Sequence, residues 1–516
     1  MADRNQIFYI QELPFHLIME VLTSGRLSAA DLATLEITCH MFGAKHELCP
    51  DKFRSVAEYA AYCLCHAHQV FDSMSLSARI GLLSRCGGNW KKVLRFLHSI
   101  EQSSGIVETS AGKMQVVTGK YHTLLIHNSS LYSCGSNLCG VLGHGHHMTQ
   151  CATFSRVNFP SLSPVVHVSA SHNHAAFVTQ SGEVSNPCFC LFTFELFVLV
   201  NKTPFCNFQV FTCGDNSSYC CGHGDIGRTV FRPTRIEALR GIPCKQVATG
   251  LSFTVILTRQ GHVYTCGNNT HGQLGHGDSI ERLTPAIIQL LAENSKVVQV
   301  AAGPSYTFAV TVDGSVYSFG SYTNFCLGHG DQSDKFVPSA IQSFKRRDIH
   351  VVCVSAGDEH ALAIDSSGYV YSWGRGYCGA LGHGNQNDKP SPELVTALKG
   401  QIAVQVCARK RKTFVLTDEG SVFAFGWMGF GSLGFSDRSI SDKVLKPRAL
   451  DSLCGHSVSQ ISTGLYHTVA VTNKGIVFGF GDNERAQLGH EWLRGCLQPT
   501  EIMVQRMVEA VTAQSS

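Results

Sequence analysis

Histidine is the residue type that first suggests chemistry in this chain. It occurs 25 times among 516 residues, and an imidazole can hold a metal or move a proton near neutral pH. The spacing argues for neither use. His144, His223, His276, His329, His383 and His490 share one recurring turn, and His122, His174, His360 and His467 share a second recurring position. Side chains repeated at fixed intervals are expected to bond a tight turn or a neighbouring repeat. Cys63, Cys65, His66 and His68 are ligand types, but on a helix they point to different faces. His144, His146 and His147 are read the same way, so no metal site is assigned.

Other chemistry fares no better. There is no Gly-x-x-x-x-Gly-Lys-Ser/Thr loop to cradle phosphates and no Gly-x-Ser-x-Gly elbow to present a nucleophile. Asp and Glu stand singly. No catalytic residue and no cofactor is therefore expected, and the chain is read as a non-enzyme. One basic run stands out, Arg409-Lys410-Arg411-Lys412, with Lys345-Arg346-Arg347 before it. It is read as a solvated loop, or as a patch for an acidic partner or an import receptor.

The elements that must carry these residues follow from a repeat. Leu-Gly-His-Gly occurs at 142–145, 274–277, 327–330 and 381–384, with variants near 221, 433 and 488. From Gly143 to Gly222, Gly275, Gly328, Gly382, Gly434 and Gly489 the intervals are 79, 53, 53, 54, 52 and 55 residues. Each unit holds a β-branched run ending in Gly, an apolar run, an alternating strand such as Gly261–Gly267, and a last strand after a proline. Four short strands bounded by Gly and Pro cannot bury their faces singly. Radial stacking solves this, and residues 114 to about 505 are predicted to form a seven-bladed β-propeller. The fold class is mostly β, with a small helical domain in front and a tail over 506–516.

The long first interval contains 26 residues, Val184–Gln209, rich in Phe, Leu, Val and Cys. Without them the interval falls from 79 to 53. Val-Ser-Asn at its start and Phe-Gln at its end can be encoded by splice donor and acceptor sequences. The segment is read as a translated intron, the alternative being a real membrane- or partner-binding loop. Its apolar core, Cys188–Val200, is too short to span a bilayer as a helix.

The first 113 residues lack the glycine beat and read helical. Leu13-Pro14 opens a pattern with Leu17, Ile18, Val21 and Leu22, and Asp31 is expected to cap a second helix carrying Leu32, Leu35, Ile37 and Cys39. Residues 51–113 continue as a helical extension and linker, with Asn89 as the cap of a helix carrying Val93, Leu94, Leu97 and Ile100. That helix is expected to pack the front unit on the propeller.

Composition sets outer limits. The 41 basic and 38 acidic residues give a net charge of +3, which excludes a strongly basic nucleic-acid coat and an acidic tail protein. The 22 cysteines follow no secretory start at Met1–Ile10, so the thiols are expected to stay reduced in cytoplasm or nucleus, with no membrane role.

The Gly-x-Val-Tyr-x-x-Gly strand and the Gly-Gln-Leu-Gly-His-Gly turn, intact at Gly272–Gly277, resemble regulator of chromosome condensation repeats. The run Leu13-Pro14-x-x-x-Ile18-x-x-Val21-Leu22, then Asp31-Leu32-x-x-Leu35-x-x-x-Cys39, resembles an F-box over residues 1–50, with Phe42 where that family carries tryptophan. Together the resemblances imply a substrate adaptor of a ubiquitin ligase. Leu13, Pro14, Ile18, Leu22, Leu32 and Leu35 would then bind a Skp-type linker protein of a cullin complex, and the propeller would hold an unknown protein substrate. An exchange factor for a Ran-like small GTPase is the alternative that the repeat family implies. An ultraviolet-B receptor is a weaker one, since the chain has only Trp90, Trp373, Trp427 and Trp492.

Overall fold

The structure is a computed structural model that describes residues 14–25, 27–46, 49–50, 52–103, 114–160, 163–181, 207–225, 227–437, 442–490 and 492–504. Seven four-stranded antiparallel sheets form the blades of a propeller, at 115–156, 165–235, 244–287, 297–340, 351–394, 403–449 and 458–502. In every blade the strands are paired in chain order, so each sheet is one contiguous stretch of chain. No blade is completed by a strand from the other end. The first strand of each blade lines a central channel of ≈ 230 Å³.

Why these residues give this fold is visible in the turns. Gly382, in the Leu-Gly-His-Gly turn of blade 5, sits at φ +76°, and a Cβ there would meet the Phe425 ring of blade 6 at 2.8 Å. The glycine thus serves both the left-handed backbone and the close approach of the next blade. Blade 7 joins blade 1 through a shared core of Val116, Leu125, Phe154, Val469, Leu488 and Ile502. The Val116 amide also donates to Gln460 Oε1 at 2.9 Å. Side-chain amides on first strands make the same bridge elsewhere, from the Val300 amide to Gln246 and from the Ile461 amide to Gln405.

The front unit consists of α1 (Phe15–Leu22), α2 (Ala29–Thr38), α3 (His40–Gly43), α4 (Val56–Ala67), α5 (Gln69–Ser73), α6 (Leu76–Arg85) and α7 (Trp90–Ser103). Ser28, not Asp31, caps α2; the Asp31 amide donates to Ser28 Oγ, and Asp31 takes the Ser28 amide in a capping box. Asn89 caps α7 as the sequence predicts, accepting from the Lys91 and Lys92 amides. Helices on both sides of residue 50 share one core, which runs through α7 into blades 5 to 7. The unit sits on the face that carries the turns between second and third strands. Arg85 donates to the carbonyls of Ser367, Lys399 and Gln401 and lies 3.7 Å over the Tyr369 ring. Arg95 pairs with Asp418 at 2.9 Å. No described helix is long and apolar enough to cross a membrane.

Residues 183–206, most of the segment read as an intron, lie outside the described residues. Its last three residues are in a strand, however. Asn207–Asp215 pairs with His174–Ser181, adding the pairs Thr179↔Gln209, Gln180↔Phe208 and Ser181↔Asn207 beyond Val178↔Val210. In blades 3, 4, 5, 6 and 7 the same hairpin closes in a tight Gly turn, as where the Gly261 amide donates to the Thr258 carbonyl. In those blades the closing Thr or Asp side chain is also bonded, as where the His262 amide donates to Thr258 Oγ1. The equivalent Thr179 hydroxyl is buried and unpaired among the described residues.

Candidate protein-interaction face

Two columns of side chains, one bonding within a blade and the other between blades, hold ten of the 25 histidines. In the first, Ser133 Oγ donates to the Leu142 carbonyl at 3.0 Å and lies 2.9 Å from His144 Nε2. The hydroxyl's one proton is committed, so the imidazole Nε2–H donates to it. Thr212–His223, Thr265–His276, Ser318–His329 and Ser372–His383 repeat the arrangement. In the second column His174 Nε2 reaches Thr254 of the next blade at 3.0 Å, and His360 reaches Thr413 at 2.9 Å. Both columns are structural. Burial pushes His144, His223, His276, His329 and His383 down, and His360 to about 4. Among the described residues no group of His, Cys, Asp or Glu is placed to hold a metal ion.

The second column runs His122, His174, Phe253, Tyr306, His360, Lys412 and His467 around the ring, every member buried. Lys412 corrects the sequence reading. It is not in a solvated loop but begins a strand, Lys412–Thr417, and is 0 % exposed. Its Nζ donates to the His467 carbonyl at 3.4 Å, as the Tyr306 hydroxyl does to the His360 carbonyl at 3.1 Å. Desolvation holds its proton affinity well below that of an ordinary lysine. Arg409, Lys410 and Arg411 are half-buried rather than free in solvent. Arg409 Nε stands 3.7 Å from Asp358, and Arg411 Nε 4.0 Å from Glu359. An import receptor needs an extended, accessible run, which this tight hairpin does not offer.

The hairpin nonetheless lies on the face opposite the helices, where turns between first and second strands meet loops between third and fourth strands. Aromatic rings and cations alternate there. Lys410 Nζ sits 4.5 Å over Trp427 and 4.1 Å over Tyr466. Tyr466 stacks on Tyr121 at 5.6 Å and meets Phe430 edge-on at 5.1 Å. Arg411 lies 4.6 Å over Tyr377. Tyr377 and Phe430 are exposed, which makes this an amphipathic surface on a rigid rim. Sequence reasoning found the cations but missed the rings, which come from four different blades.

The residues expected to bind a linker protein fall elsewhere. Leu13 lies outside the described residues, and Pro14 is exposed at the cap of α1. Ile18, Leu22 and Leu32 are buried in the helical core and Leu35 packs half-buried against it. Those four hold the unit together and leave no face for a partner. The apolar side chains that α1 and α2 do expose are Leu17, Val21 and Ile37, the last 85 % accessible.

The repeat can now be set beside known proteins. A model described as regulator of chromosome condensation (RCC1) repeat matches residues 209–257, 260–310, 313–364, 367–416 and 419–471. A second model of the same description matches 244–273, 351–380 and 458–487. Together they cover more than half of the chain. The chain belongs to the RCC1-repeat family. Within it, 269 residues are 37% identical to the ultraviolet-B receptor UVR8 of Arabidopsis thaliana, covering 52% of this chain and 60% of that protein. Over 287 residues it is 35% identical to the E3 ubiquitin-protein ligase HERC2 of Homo sapiens, covering 55% of this chain and 6% of that one. The chain therefore spans less than two thirds of either relative. Human WBSCR16 has the same fold, with a TM-score of 0.60 at 20% identity over 72% of this chain and 94% of that one. Prp20p from Saccharomyces cerevisiae gives 0.60 at 16% identity over 78% and 89%. In this RCC1-repeat propeller the seven blades carry the two columns and the aromatic rim, an arrangement that suits a protein-interaction scaffold.

Proposed function

We propose that this RCC1-repeat chain is a non-catalytic adaptor. Its helical unit docks a Skp-type linker protein of a cullin ubiquitin ligase, and its propeller holds a protein substrate. The observation behind this reading is the disposition of the two surfaces. The helical unit is fixed to one face of the propeller by a continuous core and by Arg85, which leaves the aromatic and cationic rim open on the other. A rigid body with two opposed faces suits the joining of two partners. The linker contact is assigned to the exposed Leu17, Val21 and Ile37 rather than to the buried Ile18, Leu22 and Leu32.

Co-purification of the full chain with a Skp-type linker tests this. Capture at micromolar concentration is expected, with loss in Leu17→Asp and Ile37→Asp variants that keep the melting temperature. Failure of the unmodified chain to bind sinks the adaptor reading. The exchange-factor reading has only the shared fold behind it. Dose-dependent release of nucleotide from a Ran-like GTPase would put it ahead. Photoreception gains nothing from the rings, because no described ring contact joins two tryptophans; Trp427, for example, meets Phe430.

A further inference from the structure

Unsatisfied polar atoms gather at the channel mouth on the rim side. Arg409 ends the first strand of blade 6, where blades 1, 3, 4, 5 and 7 have Gly119, Gly250, Gly303, Gly357 and Gly464, and blade 2 has Ser171. The exchange has a steric condition. A Cβ on Gly250 or Gly303 would fall 1.9 Å from Phe253 or 2.3 Å from Tyr306, the ring three residues on. In blade 6 that ring is replaced by the thinner Lys412, which leaves room for a long side chain; in blade 2 the small Ser171 is instead bonded to His174 Nδ1 at 2.8 Å. Arg409 uses the space to reach into the channel, which its side chain helps to line.

From there one guanidinium touches the electrostatics of four other blades. It disfavours protonation of His122 in blade 1 and of His172 in blade 2. It acts on Tyr306 in blade 4 and stands 3.7 Å from Asp358 in blade 5. Arg409 Nε, His122 Nε2, His172 Nε2 and Asp358 Oδ1 are all buried and without a hydrogen-bond partner among the described residues. Buried polar atoms are nearly always paired, so four unpaired ones in one place mark an unfilled position. His122 is 1 % exposed, and its counterparts His174, His360 and His467 all act as Nε2–H donors toward a threonine of the next blade. The residue facing His122 is Ala175, which has no hydroxyl. Its Nε2 is thus left without a partner, as is the Nε–H of Arg409. Asp358 is too distant to take either as a hydrogen bond.

The rim repeats the sign. Lys410 is held at φ +50°, while the first turn residue of every other blade avoids positive φ. Such a backbone is costly outside glycine and persists only where the surroundings enforce it. Here Trp427 and Tyr466 clasp the ammonium. Lys120 lies 5.1 Å over Tyr121 on the far side of the same shelf.

We propose that the channel mouth binds an acidic segment of a partner protein. One carboxylate sits on Arg409 beside His122 and His172, a second on Lys410, and the intervening chain lies on the Tyr466–Phe430 shelf. The proposal rests on the reading that this face takes a protein, and not on what the helical unit docks. A bare anion would satisfy Arg409 alone; the adjoining cation and exposed ring favour a chain that carries several carboxylates.

The test uses the full chain and a fluorescein-labelled hexaglutamate peptide, followed by anisotropy at two salt concentrations. Hexaglutamine and inorganic phosphate serve as controls. Saturable binding of hexaglutamate alone is expected, weakened by salt. It should fall at least tenfold in Arg409→Gly and in Lys410→Gly. Both substitutions are compatible with the backbone, one restoring the residue of five other blades and the other relieving the positive φ, so unchanged melting temperatures are expected. Arg409→Ser, the residue of blade 2, is the second check. Retained binding in these folded variants overturns the proposal. So does saturation by phosphate with no gain for the peptide, which would make the mouth a small-ion site. So does equal binding of hexaglutamine. Capture of a linker protein by the helical unit should be the same in all variants, which keeps the two readings separable.

Discussion

His467 Nε2 lies 3.0 Å from the Thr123 hydroxyl, which in turn donates to the Gln487 carbonyl at 2.5 Å, and these bonds tie the last blade to the first. The same relation joins blade 2 to blade 3 and blade 5 to blade 6. It fails between blades 1 and 2, where His122 faces Ala175. Ala175→Thr is therefore expected to stabilise the protein by about 0.5–1.5 kcal/mol, and Thr123→Val to cost about 1–3 kcal/mol by leaving His467 Nε2 unpaired and the Gln487 carbonyl with only the Cys134 thiol. Urea unfolding of the two variants decides it. No gain in Ala175→Thr would mean that the site is already served by water.

Arg409 and Lys412 are predicted to be energetically coupled. Lys412→Tyr alone should destabilise by about 1–3 kcal/mol, because the ring would press on the Arg409 Cβ as Tyr306 would press on a Cβ at Gly303. Combined with Arg409→Gly it should become neutral or stabilising, since a buried amine gives way to a phenol that reaches the same His467 carbonyl. A double-mutant cycle measures the coupling. Simple additivity would show that the two exchanges in blade 6 are independent.

Stability should fall on mild acidification. His122, His167, His172 and His360 have folded pKa values of about 3, about 4, about 4 and about 4, against an ordinary 6.5, chiefly because burial disfavours the imidazolium. Below pH 6.5 the unfolded chain takes up protons that the folded one refuses. Unfolding is then progressively favoured, by up to about 1.4 kcal/mol per pH unit for each group, until the folded values are reached. Chemical denaturation at pH 7.5, 6 and 5 should show the midpoint falling. A flat profile across that window would mean that these rings are protonated or solvated in the folded protein.

The Thr179 hydroxyl gives a handle on the segment 184–209. With Glu183 joined to Val210, the Glu183 amide would occupy the place that the His262 amide takes against Thr258 Oγ1. Deleting the 26 residues from Val184 to Gln209 is expected to preserve or raise stability. Thr179→Val should be silent in the long chain, where the hydroxyl is unpaired, and cost about 1 kcal/mol in the short one. Transcript sequencing across the Glu183 and Val210 codons is the direct check. A message that always retains the segment, with protein weakened by its removal, would establish it as native structure.

The periodic part of the molecule was legible in the sequence because periodicity is a one-dimensional signal. Leu274-Gly275-His276 and its copies specify the turn, the blade length and the role of the histidine in it, and the structure agrees at Thr265–His276. The helical unit was legible as helices but not as a surface. Ile18, Leu22 and Leu32 lie at apolar spacing whether they face a core or a partner, and only the packing of α4 and α7 against them decides for the core. Charge misled at Lys412, because a lysine beside two arginines reads as solvated until its column is recognised as buried. The channel mouth was not legible at all. It is assembled from His122, His172, Asp358 and Arg409, which are brought together only when the ring closes.

Among the described residues, the junction of blade 7 with blade 1 is made by side-chain hydrogen bonds and packing rather than by a shared strand, since each blade is a single stretch of chain. A ring without an exchanged strand has no privileged seam. Its blades behave as whole cassettes, each encoded by one block of about the same length. Duplication or loss of such a block leaves every remaining sheet intact, and a chain permuted to begin at any blade boundary would keep all its ladders. The blades differ in the content of each cassette, and blade 6, with Arg409 where five others have Gly and Lys412 where the others have a ring, carries the difference that shapes the channel mouth.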